Sequence, residues 1–517
     1  MSTAPAPAAH PEYPDNIDGA VLKVAGVVVL GAIMSILDIT VVNVALPTFQ
    51  RVFSTDGSPV PYSTVAWTVT AYTLALATVI PLTGWAADRF GTKRLYMTAV
   101  GLFVTGSVLC ATAWNIEALI SFRVLQGLGG GMLMPLGMTI MTRAAGPHRM
   151  GRLMAILGVP MLLGPILGPI LGGWLIQIAS WHWIFLVNAP VGLIAVIYAW
   201  SVLPKDNPEP SESFDFLGVA LLSPGLAVFL FGVSSIPTEG TLAAPRVWVS
   251  MLIGLLLIVA FVFHSFRPEH PLLDLRLFKN RNLTVTVIAM VLFISAFFGG
   301  ILLVPTYYQE VRGYSTLMAG LLMAPQGLGA MITMPIAGSQ VDKHPIGRIT
   351  PFGIVGILIG MLGLTQISYD TSLVFVMGSL FVMGLGMGAT MMPLFTSALK
   401  TLKSHEVARG STLLNINQQI AASIGVATMS VILTTYVKGS ALAGAAMAAN
   451  HDPALKAKIP EAQLIQGLHE AANAFSHTYW VAWVLVLLTL IPAFFLPRKH
   501  EETHLLDDEG LPPVVVH

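Results

Sequence analysis

The chain has 517 residues, 55% of them hydrophobic and only 10% charged, with a mean hydropathy of +0.76. Soluble domains carry about 25% charged residues, so this composition excludes a soluble globular protein and indicates an integral membrane protein. The 26 basic and 26 acidic residues cancel, which leaves no excess charge for nucleic acid or an acidic partner, and a lone cysteine, Cys110, excludes an internal disulfide and a multi-cysteine metal site.

Residues 1–20, MSTAPAPAAHPEYPDNIDGA, are rich in Pro and Ala and lack the basic start of a signal peptide, so they read as a cytoplasmic tail. A helix needs about 20 apolar residues to cross a hydrocarbon core of about 30 Å. Fourteen runs meet that length: 22–46, 63–85, 95–114, 117–142, 152–178, 184–203, 216–235, 247–266, 283–307, 317–341, 349–368, 371–396, 410–437 and 477–496. The expected fold is an all-α integral membrane protein with fourteen transmembrane helices. Lys and Arg are retained on the cytoplasmic side. With the N-terminus inside, nineteen basic residues fall inside and six outside, and Arg123 lies within the membrane, which accounts for all 26. Both termini are therefore expected in the cytoplasm.

After span 2 the chain reads GWAADRFGTKR (84–94), and 254 residues later, after span 10, GSQVDKHPIGR (338–348). Spans 1 to 6 occupy about 182 residues, so the offset leaves room for two extra helices between two six-helix halves. The expected division is a tail at 1–20, an N-terminal bundle at 21–203, two inserted helices with a connector at 204–282, a C-terminal bundle at 283–497 and a tail at 498–517. The inserted helices hold little polar besides Ser, Thr and His264, and read as lipid-facing support. Residues 438–476 read as a helical extracytoplasmic loop with His469 and Glu470 in solvent.

Polar residues inside spans carry the functional signal. Asp38, in SILDITVVNVALP, sits roughly 13 Å below the outer end of span 1, and Arg123, in EALISFRVLQGLGGG, roughly 9 Å below the outer end of span 4. Each charge costs on the order of 2.5–3.5 kcal/mol near a helix centre, so an acid and a base at matching depth are expected to pair or to face water. A static ion pair tying spans 1 and 4 is the plain alternative. A carboxyl poised between burial, which favours its neutral form, and an arginine, which favours its anion, suits the loading and release of a proton. There is no G-x-x-x-x-G-K-[ST] phosphate loop, and the loops are too short for a nucleotide-binding domain. Energy then comes from an ion gradient, or transport is passive; neither a metal nor a cofactor is expected.

At the end of span 2, Asp88 stands beside Arg89, Lys93 and Arg94. It reads either as a solvated acid in a basic anchor or as a latch onto the start of span 13, where Arg409 and the amides of Gly410 and Ser411 would face it. Gln126, Gln326, Asn415, Asn417, Gln418 and Gln419 are the remaining in-membrane amides, divided between interhelical hydrogen bonding and lining of a substrate cavity. Glu310, near Arg312 at the outer end of span 9, is either an accessory proton or substrate site or a rim charge. The stretch GVPMLLGPILGPILGG (158–173) holds Gly164, Gly168 and Gly172 every four residues, a ridge for close backbone approach, while Pro160, Pro165 and Pro169 each remove an amide and bend the helix. A packed, bent hinge between the two halves is expected there.

The segments LDITVVNVALP, GWAADRFGTKR, RVLQGLGGG, GVPMLLGPILGPILGG, SWHWIFLVNAPVG, PLLDLRLFKNRN and VPTYYQEVRGYSTLMAG together resemble the major facilitator superfamily. More narrowly they resemble its fourteen-span drug:proton antiporters of the EmrB/QacA type, over nearly the whole chain. The resemblance implies the major facilitator fold, with two six-helix bundles plus two inserted helices. It also implies proton-coupled export of lipophilic or cationic drugs across the inner (plasma) membrane by alternating access, with export of an endogenous lipid or metabolite as the alternative. Asp38 would be the coupling carboxylate, Arg123 its relay partner, Asp88, Arg89, Arg94 and Arg409 the conformational latch, and Gly158, Pro160, Gly164, Pro165, Gly168, Gly172 and Gly173 the antiporter motif. Where the family usually carries aromatic-Arg-aromatic before span 6, this chain reads Trp181-His182-Trp183. The implied partners are a lipophilic small molecule, protons and membrane lipid; a periplasmic adaptor protein is left open. A membrane enzyme would need a catalytic cluster or a sizeable soluble domain, and the sequence offers neither.

Overall fold

The computed structural model describes residues 17–54, 60–145, 149–206, 213–239, 241, 243–268, 270–400, 402–403, 406–450 and 453–498, and every regular element among them is helical. In chain order the spans are α1 (Gly19–Phe53), α2 (Tyr62–Phe90), α3 (Thr92–Ala111), α4 (Ile116–Ala145), α5 (Met150–Ile178), α6 (Trp183–Val202) and α7 (Phe216–Glu239). They continue as α8 (Pro245–Ser265), α9 (Arg281–Val311), α10 (Thr316–Lys343), α11 (Ile346–Leu364), α12 (Leu373–Lys400), α13 (Val407–Lys438) and α14 (Glu461–Phe494). Thirteen of these pass on length and hydropathy among the described residues. The fourteenth, α5, has 29 residues and no charge after Arg152.

Each boundary has a local cause. Asp18 starts α1 by accepting a hydrogen bond from the Val21 amide at 2.8 Å, and Asn280 starts α9 by accepting from Asn282 N at 3.0 Å. Gly91, at φ +90, turns the chain between α2 and α3, and the amides opened there are met by Asp206, which accepts from Lys93 N at 2.8 Å and Arg94 N at 3.0 Å. The α6 helix is interrupted at Val187, two residues before Ala189-Pro190, where the proline can offer no amide. Many helices overrun their apolar runs. The 35-residue α1 is roughly 52 Å long, and α14 begins at Glu461 rather than near 477. Hydropathy measures only the hydrocarbon crossing, whereas helical hydrogen bonding continues through the polar boundary.

That early start of α14 corrects the reading of His469 and Glu470 as solvated. Both are half-buried: the His469 ring lies against Ser368 Oγ at 3.2 Å and Asp370 at 3.1 Å, and Glu470 accepts from Gln466 at 3.0 Å and from Ser440. The short helix Ala443–Ala449 packs on α14 through Ala446, Ala449, Leu464 and Leu468.

The even span count puts both ends of the described chain on one face, together with the α2–α3, α4–α5, α10–α11 and α12–α13 turns and their Lys and Arg residues (the basic face). Both copies of the repeat sit there, at α2–α3 and α10–α11. The inserted pair α7–α8 forms a hairpin closed at the basic face by Asp215, whose Oδ1 is 2.7 Å from His264 Nε2. On its outward side α8 leaves Leu252, Ile253, Leu255 and Leu256 exposed, as a lipid-facing helix should. Its inner side joins one apolar cluster with Ile80 of α2 and Leu413 and Ile416 of α13, so the hairpin leans on helices from both ends of the chain.

Candidate functional site

Asp38 of α1 and Arg123 of α4 are paired, and both side chains are fully buried. In a low-dielectric interior such a pair persists only if further hydrogen bonds satisfy its remaining donors and lone pairs. Here Arg123 Nη1 donates to Asp38 Oδ2 and, at 2.7 Å, to Gln126 Oε1, while Nε donates to the Thr68 carbonyl at 3.0 Å. The guanidinium lies 4.1 Å from the Tyr72 ring centroid on α2, a cation–π contact that a flat cation makes well. Gln126 Nε2 donates to Asp38 Oδ1 at 2.7 Å and to Ser107 Oγ at 3.1 Å. Asn188 Nδ2, on α6, donates to Ser107 Oγ at 3.0 Å and reaches Asp38 Oδ1 at 3.5 Å. Five helices, α1, α2, α3, α4 and α6, thus close one polar cage within the first half of the chain. Arg123 Nη2 is buried with no hydrogen-bond acceptor.

The structure brings Asp38 and Arg123 together, as their matching depths suggested, and adds Gln126 to them. Of the two readings open for it, interhelical hydrogen bonding and cavity lining, Gln126 takes the first: both amide atoms engage the Asp38 cage, because residue 126 lies three positions after Arg123 and so on the same helix face. Glu310 lies elsewhere, half-buried on the π-helical turn Tyr307–Val311 that ends α9, its carbonyl accepting from Asn450 at 2.8 Å. Gln326 of α10 is 4% exposed with neither amide atom hydrogen-bonded. Asn415 of α13 is buried and donates to Ser411 O at 2.8 Å, beside Met138 of α4, whereas Asn417 and Gln418 are half-buried. Sequence reading did not single out Thr68, Tyr72, Ser107 or Asn188. The available signal was an asparagine inside the apolar run WIFLVNAPVG.

Two acid-centred contacts close the basic face. Asp88 of α2 meets Arg409 of α13 at 3.9 Å and Arg143 of α4 at 3.5 Å. Gly410 and Ser411 lie within α13, which already begins at Val407. Arg94 is exposed and engages Asp206 only through its backbone amide, and Arg89 is half-buried. At the other copy of the repeat the acid equivalent to Asp88 itself caps a helix. Asp342 of α10 accepts from Gly151 N at 2.8 Å and Arg152 N at 3.3 Å at the start of α5, with Lys400 Nζ at 3.3 Å. Beside it, a Cβ added at Gly151 would lie 2.3 Å from the Gly338 carbonyl oxygen, so the two backbones touch.

A family model for the major facilitator superfamily matches residues 28–426. The chain belongs to the major facilitator superfamily. It is 48% identical over 512 residues to the multidrug resistance protein B homolog of Mycobacterium tuberculosis, covering 94% of this chain and 92% of that protein. It is 30% identical over 429 residues to the multidrug export protein EmrB of Haemophilus influenzae, covering 82% of each. Two solved structures share its fold: the human organic anion transporter MFSD10, with a TM-score of 0.59, 17% identity and coverage of 91% and 100%, and the proton:xylose symporter XylE, with 0.59, 17%, 94% and 98%. As a facilitator-superfamily member the chain is a multi-pass membrane transporter, not an enzyme.

In this facilitator the glycine ridge of α5 takes a different place from the one expected. A Cβ at Gly164 would lie 2.1 Å from Ile36 Cγ2, one at Gly168 2.0 Å from Thr40 Oγ1, and one at Gly172 3.1 Å from Val41 Cγ1. All three partners are on α1, so the ridge packs inside the first half and flanks Asp38, rather than forming a hinge between halves. The face that meets the second half carries Gly151 and Gly158, the latter against Met334 and Met392. Seven residues span almost two helical turns and return to one face, whereas Gly164 points elsewhere around the same helix. A Cβ at Gly173 would meet open space, and the side chains of Pro160, Pro165 and Pro169 lie outside the described residues.

Proposed function

We propose that the chain is a proton-coupled antiporter that exports lipophilic or cationic drugs, or similar small molecules, across the cytoplasmic membrane by alternating access. The observation that carries this reading is the Asp38–Arg123 pair, fully buried, hydrogen-bonded on both carboxylate oxygens and confined to one half of the molecule. With Asp38 ionised the pair is neutral overall. Protonation of Asp38 removes the anion and leaves the Arg123 guanidinium as a net positive charge in a poorly screened interior, which disfavours a lipophilic cation nearby. Proton binding and cation binding thereby oppose each other, the thermodynamic core of antiport.

The basic face is assigned to the cytoplasm on the excess of Lys and Arg in its short loops. Asp88 with Arg409 and Arg143, and Asp342 with the start of α5, serve as the cytoplasmic latches, holding that face shut while the opposite side exchanges substrate. Gln326, Asn417 and Gln418 are the amides assigned to substrate, Gln326 because its buried amide lacks any partner. The names of the similar Mycobacterium tuberculosis and Haemophilus influenzae proteins support a drug substrate. The test is reconstitution into inside-acid liposomes, with uptake of tetraphenylphosphonium by wild type compared with Asp38→Asn. Gradient-driven uptake in wild type and its loss in Asp38→Asn are expected; equal uptake in both, or uptake indifferent to collapse of the gradient, refutes the assignment.

A further inference from the structure

A protonated carboxyl carries an O–H that needs an acceptor, and the cage around Asp38 is built of donors. The polar groups that reach its oxygens are Arg123 Nη1, Gln126 Nε2 and Asn188 Nδ2. Arginine has no acceptor to give. Gln126 is locked in place, because turning its amide over would set Nε2 against Arg123 Nη1, which now donates to Oε1 at 2.7 Å, and against the Cys110 thiol at 3.6 Å. Asn188 is different. It is 5% exposed, both hydrogen bonds recorded for its side chain come from Nδ2, and one of them ends on a hydroxyl, Ser107 Oγ, that can reverse its role. Ser107 now donates to the Phe185 carbonyl at 2.9 Å, two residues before the break in α6.

The geometry points to Asn188 as the proton-state sensor of the transporter: when Asp38 takes up its proton, the Asn188 amide turns over and its oxygen accepts the new O–H. This rests on the proton-coupling reading of Asp38. The balance is simple. One proton adds to Asp38 Oδ1, no covalent bond in the chain breaks, and Asn188 Oδ1 replaces Nδ2 opposite both Asp38 and Ser107. The Ser107 hydroxyl then donates to Asn188 Oδ1 instead of to the Phe185 carbonyl, so α6 loses a tie to α3 at its break. The proton thereby reaches α6 as a hydrogen-bond change, without a charge moving there. The titratable and charged groups around Asp38 are Arg123 on α4, paired with it, and Tyr72 on α2 and Cys110 on α3, each within electrostatic reach of its carboxylate. At this depth α5 presents glycines to α1, and α6 presents Asn188, which does not titrate. Asn188 is a positioning residue, since it acts through Asp38.

The test is infrared difference spectroscopy of the full chain in lipid over a pH series, with no transported molecule present. A carboxylic-acid band that Asp38→Asn removes is expected, accompanied in wild type by a side-chain amide band that rises with the same midpoint and is missing in Asn188→Ser. In Asn188→Leu, which fills the same space without an acceptor, the carboxylic-acid band moves to higher frequency; in Asn188→Ser, whose hydroxyl and smaller volume restore an acceptor, it returns part of the way. A carboxylic-acid band unchanged by both substitutions, or a wild-type band with no amide companion, overturns the sensor. The absence of any Asp38-dependent band at all pH values removes the proton-coupling reading itself, and the sensor with it. Should Asn188→Leu fail to fold, the wild-type amide band and Asn188→Ser still decide the matter.

Discussion

Replacing Asp342 by Asn should open the basic face. The Asp342 side chain is 4% exposed, and that of its partner Lys400 6%, so their attraction is poorly screened, whereas Arg152 is 29% exposed and contributes less. Asparagine keeps an oxygen for the Gly151 amide at the same 2.8 Å but removes the charge that strengthens that bond and the one from Lys400. Hydrogen bonds to charged groups exceed neutral ones by roughly 1 kcal/mol each, so the Gly151 and Lys400 bonds alone give about 2 kcal/mol, about a 30-fold fall in the closed-to-open ratio, and the Arg152 amide, which loses its acceptor to the new Nδ2, adds to that fall. Asp342 stands at an element boundary and not in the Asp38 cage, so folding should survive. The assay is the distance between spin labels at Arg94→Cys and Gln340→Cys, two exposed sites on the basic face; the native Cys110 is buried and takes no label. The long-distance population should grow in Asp342→Asn and grow less in Arg152→Gln. An unchanged distance distribution in Asp342→Asn refutes the latch.

Charge reversal in Asp88→Arg sets three guanidinium groups together where Arg143 and Arg409 now meet an acid. Transport in proteoliposomes should be abolished while the protein stays folded and membrane-inserted; undiminished transport would sink the latch role. Gly168→Leu forces α5 off α1, because even a Cβ would lie 2.0 Å from Thr40 Oγ1 and 2.4 Å from Thr40 Cβ, two residues along α1 from Asp38. Overpacking of that kind costs about 1–3 kcal/mol. Either transport falls by more than about tenfold, as a displacement of that cost would produce, or liposomes carrying the variant leak protons. Full activity with normal coupling contradicts the close approach.

Much of this protein was legible in the sequence because a membrane simplifies the physics. Hydrocarbon demands about 20 apolar residues per crossing and satisfied backbone bonds, so spans can be counted. It also makes charge rare, so Asp38, Arg123 and Asp88 stand out, and their similar depth points Asp38 and Arg123, 85 positions apart, either to each other or to water; the structure pairs them. What sequence could not supply was the side to which each residue points once two helices cross. The sequence leaves Gln126 open between a cavity and an interhelical bond and points Gly168 to an interdomain hinge, since a helix wheel shows which residues share a face but not which neighbour that face meets. Thr68, Tyr72, Ser107 and Asn188 carry little signal of their own for the opposite reason: neutral polar residues cost little in a span, so only their convergence from three helices onto one carboxylate and its arginine reveals them. The partner of each acid on the basic face was likewise decided by packing. Asp88 and Asp342 occupy equivalent places in the two copies of the repeat, yet the first meets arginine side chains of α4 and α13 and the second caps α5. The sequence by itself determined the number of crossings, the charged residues that could not be accidental and the family they belong to. Only the tertiary structure decided which helices those residues join, because in hydrocarbon the apolar faces of all helices are nearly equivalent, and the choice of neighbour falls to close backbone contact and a few hydrogen bonds.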